Sequence, residues 1–212
     1  MTRKIDRTLI ITTLICLLPI VLAFVLYNKL PDQIAIHWDS AGTPDNFAPK
    51  AIAVWGLPLL MAGINIFSYF MIQNDPKNAN ASSVLKQLGL WILPITSVII
   101  IPVTLFKAIG YNIPIQTLVP VMVGVIIIVC GNYLPKSKQS YTVGIKLPWT
   151  LHSKENWNRT HRMAGFLWVF GGVCMVIGGF LNINWLPITL LLVAVLVGLP
   201  FMYSYSLYKK GI

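Results

Sequence analysis

Six long apolar runs, separated by short polar stretches, organise this chain. They cover roughly residues 8–27, 51–73, 88–106, 115–131, 163–181 and 186–207, and none carries an acid or a base in its interior. A hydrocarbon core about 30 Å thick takes on the order of 20 apolar residues per helical crossing. The pattern therefore predicts an all-α integral membrane bundle of six transmembrane helices, with 1–212 as a single membrane domain. The first run follows MTRKIDR, a charged start like that of a secretory leader. About 20 apolar residues is too long for a cleaved leader, and no small-x-small site follows, so this run is expected to be retained as the first helix.

Small residues and prolines mark how the spans pack. Gly165, Gly172 and Gly179 recur every seven positions in the fifth run, with Gly171 and Gly178 alongside. A smooth seam of this kind lets a second helix backbone approach closely in lipid. Pro19, Pro58, Pro94, Pro102, Pro120 and Pro200 each remove a backbone donor and bend their span. Bent spans occur in transporters. A peptide exporter nevertheless lacks its usual mark here, since no ionisable residue sits at mid-depth to couple ions and no internal repeat is visible.

Composition agrees with lipid as the solvent. The chain is 56% hydrophobic and only 10% charged, against roughly 25% charged in soluble domains. Its formal net charge of +10 would suggest nucleic acid, but the distribution of basic residues explains it otherwise. Counted through alternate connections, Lys and Arg divide 13 to 3. The basic side is cytoplasmic by the positive-inside rule, which places both termini in the cytoplasm and implies no direct nucleic-acid partner. Cys16, Cys130 and Cys174 lie within apolar runs at no metal-site spacing and read as packing residues.

Two polar stretches carry the remaining information. The outer one, 29–50, reads KLPDQIAIHWDSAGTPDNFAPK. Its IAIHW alternates, which predicts an extended element with Ile34, Ile36 and Trp38 on one face and His37 on the other. DSAGTPD follows as a turn, with Gly42 supplying backbone freedom and Pro44 fixing φ. His37, Asp39 and Asp45 are the candidate metal ligands, but the spacing fits neither a calcium loop nor a zinc site, and no metal or other cofactor is assigned.

The inner stretch, 132–161, is too long to be a plain connection and too aromatic for a disordered one. YTVGIKLPWT suggests an extended segment ended by Pro148, and Ser153 is the expected N-cap of a helix leading into span five. On that helix Glu155, Arg159 and Arg162 share one face, while Trp157, His161, Ala164 and Trp168 share the other and should dock on the bundle. The basic residues fit attraction to anionic lipid headgroups. Glu155 and His161 are the weak catalytic candidates, because six residues apart on a helix they face different ways. An intramembrane metal-dependent hydrolase built on them is the competing reading, and its histidines would have to meet across the membrane.

Both stretches resemble a known family. LPDQIAIHWDSAGTPD followed by Lys50, and GNYLPKSKQSYTVGIKLPWTLHSKENWNRTHRMAG over 131–165, are similar to the two signatures of the SdpI/YfhL family of bacterial six-helix immunity proteins. In the outer loop the fit includes Leu30, Pro31, Ile36, His37, Trp38, Gly42, Pro44, Asp45 and Lys50. In the inner loop it includes Gly131, Asn132, Tyr133, Pro135, Lys136, Lys138, Gly144, Ile145, Pro148, Trp149, Thr150, Leu151, Trp157, Thr160, His161, Arg162 and Gly165. Ser140, Lys146 and Lys154 depart from the family's usual Asn, Arg and acidic residue, which leaves Glu155 as the sole carboxylate there. The resemblance implies a non-catalytic membrane protein giving resistance to a secreted, membrane-active peptide toxin bound at the outer face. It also implies a second role, in which the toxin-bound protein holds a cytoplasmic transcriptional repressor at the membrane. Trp38 and Phe47 would meet the toxin, and Trp149, Trp157 and Arg162 would face the partner.

Overall fold

The computed structural model describes residues 6–77, 83–181 and 185–212. Arg3 and Lys4, counted among the basic residues above, lie outside the described residues. Among the described residues, six helical segments are long and apolar enough to cross a membrane: Arg7–Lys29, Ile52–Gln73, Ser83–Ala108, Ile115–Lys136, Lys154–Leu181 and Pro187–Lys209. The expected six transmembrane helices are present.

The elements run α1 (Arg7–Leu17), α2 (Pro19–Leu26), β1 (Gln33–Trp38), β2 (Pro44–Pro49), α3 (Leu57–Gln73), α4 (Ser83–Ala108), α5 (Ile115–Tyr133), α6 (Pro148–His152), α7 (Lys154–Leu181) and α8 (Trp185–Lys209). Pro19 divides the first span into α1 and α2, because it offers no N–H to continue the ladder and Leu18 N–H bonds back to Ile15 O instead. Pro94, Pro102, Pro120 and Pro200 lie inside α4, α5 and α8. A π-turn at Ile52–Gly56 leads into α3 just before Pro58.

The contacts divide the chain into two compact units. The first comprises Met1–Met71 with Gly89–Pro114. Its core gathers Ala23, Leu26, Leu30, Ile34, Ala53, Val54, Ile101 and Leu105. Most of the polar donors within its spans find acceptors on neighbouring helices, as lipid favours, although Asn65 Oδ1 meets no donor among the described residues. Asn65 Nδ2 donates to Thr12 Oγ1 at 2.9 Å, and Ser97 Oγ donates to Cys16 O at 2.8 Å. At the start of α1, Asp6 accepts from Thr8 N–H at 2.9 Å and from Tyr69 Oη at 3.0 Å.

The second unit comprises Ile72–Leu88 with Ile115–Ile212. Here α5 and α7 approach backbone to backbone along the glycine seam. A Cβ on Gly172 would lie 2.7 Å from Gly124 O, and one on Gly165 would lie 2.8 Å from Gly131 O. Gly179 faces Thr117 and Val121 of α5, whereas Gly171 faces Leu196 of α8. The seven-residue spacing on α7 thus meets a matching spacing, Gly124 and Gly131, on α5.

Helix α7 begins at Lys154, well before the apolar run at 163. Ser153 caps it, its Oγ accepting from Asn156 N–H at 3.2 Å. The span therefore continues as one rigid helix into the polar stretch and carries Trp157 and His161 with it.

Candidate functional site

The polar stretch after the first span folds as an antiparallel hairpin. Strand β1 pairs with β2 from Gln33↔Pro49 to Trp38↔Pro44, with irregularities on either side of His37. Asp39 organises the turn: its Oδ1 accepts from Ala41 N–H at 2.9 Å and Thr43 N–H at 2.8 Å. Gly42 takes φ +79°, a conformation that side chains disfavour. Lys50 N–H closes the base of the hairpin on Asp32 O at 2.8 Å.

The irregular register corrects one expectation. Ile34 and Ile36 pack on the core of the first unit. Trp38 does not join them; it lines a cavity together with Gln33 and Ala35. Extra residues in a ladder shift later side chains relative to strict alternation, so the simple i, i+2 pattern holds for Ile34 and Ile36 and fails at Trp38. His37 and Asp45 stay in solvent, where Nδ1 and Oδ1 sit 2.6 Å apart as a surface pair with side chains 67% and 45% exposed. Asp39 is engaged by its own turn. Among the described residues no three His, Cys, Asp or Glu side chains converge as a metal site.

The inner stretch is built differently, and here too the structure departs from expectation. Residues 141–147 form no strand, and Pro148 starts α6 where it was expected to end an extended segment. The reason is visible in the backbone donors, since side chains satisfy them where a ladder would otherwise be needed. Tyr141 N–H and Thr142 N–H go to Asp75 Oδ2 at 2.9 and 3.0 Å. Val143 N–H goes to Ser140 Oγ at 3.1 Å, Ile145 N–H to His161 Nε2 at 2.8 Å, and Leu147 N–H to Thr150 Oγ1 at 2.9 Å.

Asp75, which the sequence pattern did not single out, anchors this arrangement. Its Oδ2 also accepts from Ser140 Oγ at 2.5 Å and Thr142 Oγ1 at 2.7 Å, while Oδ1 accepts from Lys77 N–H at 2.8 Å. Burial by itself would raise this carboxyl. The hydrogen bonds from Ser140, Thr142 and the Lys77 and Thr142 backbones outweigh it and hold the group below the ordinary carboxylate range. Lys77 adds its ammonium over the Tyr141 ring at 5.0 Å.

Beneath the segment, Trp157 and His161 stack with centroids 3.9 Å apart, both fully buried. Trp157 Nε1–H donates to Ser137 O at 2.8 Å. His161 Nε2 accepts from Ile145 N–H, so the ring is neutral with its proton on Nδ1, which donates to Trp157 O at 2.8 Å. Neither nitrogen is left for proton transfer. Glu155 is exposed and pairs with Arg159, so the two weak catalytic candidates do not meet.

Gly144 rests on this stack with φ +110°. A Cβ there would lie 2.6 Å from His161 Nε2 and 2.9 Å from the Trp157 ring. Gly144→Ala therefore combines backbone strain with overlap and should cost about 2 kcal/mol or more. A thermal-shift measurement in detergent checks this, with a clearly lowered unfolding temperature as the expected result.

A third cluster joins α6, α7 and α8. Trp149 Nε1–H donates to Ser204 Oγ at 2.7 Å, and Ser204 Oγ donates to Asn156 Oδ1 at 2.6 Å. Asn156 Nδ2 donates to Ser204 O at 3.0 Å and Ile212 O at 3.1 Å, while Thr160 Oγ1 donates to Asn156 Oδ1. The Trp149 ring packs against Phe201, Tyr205 and Tyr208. Pro148, Trp149, His152, Tyr208 and Ile212 line a cavity of about 630 Å³. Among the residues expected to bind, Thr150, Trp157, Thr160 and His161 are fully buried, whereas Pro148 and Arg162 are exposed and Trp149 is half-buried. Trp157 therefore supports the surface from below and cannot itself face a partner.

Both folded stretches fall within recognised sequence families. The model described as the SdpI/YfhL protein family matches residues 136–204, the inner stretch with α7 and most of α8. Over those residues the chain is similar to that family. A second model, a domain of unknown function called DUF1648, matches residues 14–62, which hold the hairpin. The chain is 27% identical over 204 residues to Immunity protein SdpI of Bacillus subtilis (strain 168), covering 95% of this chain and 96% of that protein. No solved structure matches. The chain is thus a multi-pass membrane protein similar to an immunity protein over nearly its whole length.

Proposed function

We propose that this chain protects its cell from a secreted, membrane-active peptide toxin, with the hairpin on the outer face as the capture element. The observation that carries the reading is the end-to-end likeness to Immunity protein SdpI, which includes both folded polar stretches. The hairpin suits capture because it is pinned by its own turn and offers Phe47, 54% exposed, beside Trp38. In this reading the basic inner segment lies in the cytoplasm. Its exposed Lys146, Pro148 and Arg162, with the cavity beside Trp149, form the surface on which a repressor protein is held. The protein partner, not this chain, would contact nucleic acid. Membrane lipids contact the remaining apolar surface.

The test is survival. Bacteria deprived of their own Immunity protein SdpI, and so sensitive to the matching peptide toxin, are given this chain. Wild type is expected to restore growth, and the His37→Ala/Trp38→Ala variant, at equal membrane abundance, to leave cells as sensitive as the empty vector. Full protection by that variant would remove the hairpin from the mechanism.

A further inference from the structure

The hairpin cavity has a chemistry that the capture reading alone does not specify. It measures about 420 Å³ and lies between the hairpin and the turn after α4, within the usual range for ligand pockets of roughly 300–1,000 Å³. Ala35, Trp38 and Phe47 give it apolar walls, Gln33, Thr104 and Asn112 add neutral polar groups, and Lys107 is the charged residue among its lining, which includes no acid. Lys107 sits in the last turn of α4 and spends one donor on Ile113 O at 3.3 Å; an ammonium has three. Phe47 and Tyr111, 54% and 61% exposed, stand among the lining residues as open aromatic rings.

Trp38 supplies the second observation. Its indole N–H is shielded from solvent yet meets no acceptor among the described residues. Buried donors are nearly always paired, and an unpaired one costs stability that a suitable acceptor restores. One cation, one unpaired N–H and no acid among the lining residues together form a receptor for a small anion with two acceptor oxygens on an apolar body.

We infer that this cavity receives the C-terminal carboxylate of an apolar peptide, held between Lys107 Nζ and Trp38 Nε1 as the indole turns toward it. The last side chains of the peptide lie against Phe47 and Tyr111. The inference rests on the capture reading and specifies which end of the peptide is held. A phospholipid fits less well, because its two acyl chains exceed the volume of the cavity.

The test uses the full chain in phosphatidylcholine nanodiscs. It is titrated by calorimetry with the acetylated peptide Leu-Val-Phe-Ala-Leu, as the free acid and as the C-terminal amide. The acid should bind about tenfold more tightly than the amide, equivalent to about 1.4 kcal/mol. Lys107→Gln should erase that preference. Trp38→Phe, which keeps a ring and removes the N–H, should weaken the acid severalfold. Equal affinity for acid and amide, binding of neither at millimolar concentration, or a preference that survives Lys107→Gln would each overturn the inference. So would displacement of the acid by phosphatidylglycerol in the disc, which would give the cavity to lipid. The two levels fail separately: protection lost in hairpin variants with no acid preference leaves capture standing without the carboxylate, whereas full protection by those variants removes capture itself.

Discussion

Gly172→Leu is expected to abolish the folded protein in membranes. Its Cβ would lie 2.7 Å from Gly124 O and 2.7 Å from Ile128 Cγ1, with Ile128 N at 3.0 Å. Two of these obstacles are backbone and cannot rotate away. In lipid there is no hydrophobic drive to hold helices together, so close van der Waals packing of small residues carries much of the association. The leucine must push α5 and α7 apart, which separates Gly165 from Gly131 as well. Overpacking of this kind costs about 3 kcal/mol or more, a large part of a typical total stability of roughly 5–15 kcal/mol. Detergent extracts analysed by size-exclusion chromatography should show the monodisperse peak lost for Gly172→Leu. Gly198→Leu, where a Cβ meets nothing within 4 Å, should keep it. A stable Gly172→Leu protein would contradict the packing described.

Asp75→Ala should release the inner segment while leaving the six spans intact. The substitution removes the acceptor of four donors at Oδ2 and one at Oδ1. Tyr141 N–H loses its acceptor and Thr142 N–H keeps only Ser140 Oγ at 3.2 Å; with hydrogen bonds to a charged group worth about 1.5–3 kcal/mol each, the loss is on the order of 2–3 kcal/mol. Hydrogen exchange read by mass spectrometry should show fast exchange over 141–147 in the variant, with α5 and α7 still protected. The wild-type segment has its own pH dependence. Because the Asp75 carboxyl is held below its ordinary range, its stabilisation is complete above the unfolded carboxyl's pKa and is lost as pH falls through the lower folded value. Protection over 141–147 should therefore persist at neutral and mildly acidic pH and fall only in strong acid. Asp75→Asn should show no such acid step. Equal protection in wild type and Asp75→Ala would show that the clamp does not hold the segment.

The spans, the Ser153 cap and the Trp157–His161 stripe were legible because each follows from local period and spacing. The glycine seam was legible on α7 alone; its counterpart, Gly124 and Gly131, became meaningful only once the two helices faced each other. Asp75 was hidden for a different reason. It binds Ser140 and Thr142 from 65 and 67 residues away, across two spans, and no local pattern marks such a pair. A separation of 48 residues likewise hid the roles of Asn156 and Ser204. Trp38 was misplaced because the register shift beside His37 is not encoded by alternation, which assumes an unbroken ladder.

The most direct measurement concerns sidedness, on which capture outside and signalling inside both depend. In a background with Cys16, Cys130 and Cys174 replaced by alanine, single cysteines are introduced as His37→Cys and Asn158→Cys, both at exposed positions. A membrane-impermeant maleimide applied to intact cells should label position 37, and should label position 158 only after the membrane is permeabilised. Equal labelling of both in intact cells, or labelling of 158 alone, would contradict opposite compartments for the hairpin and the inner segment.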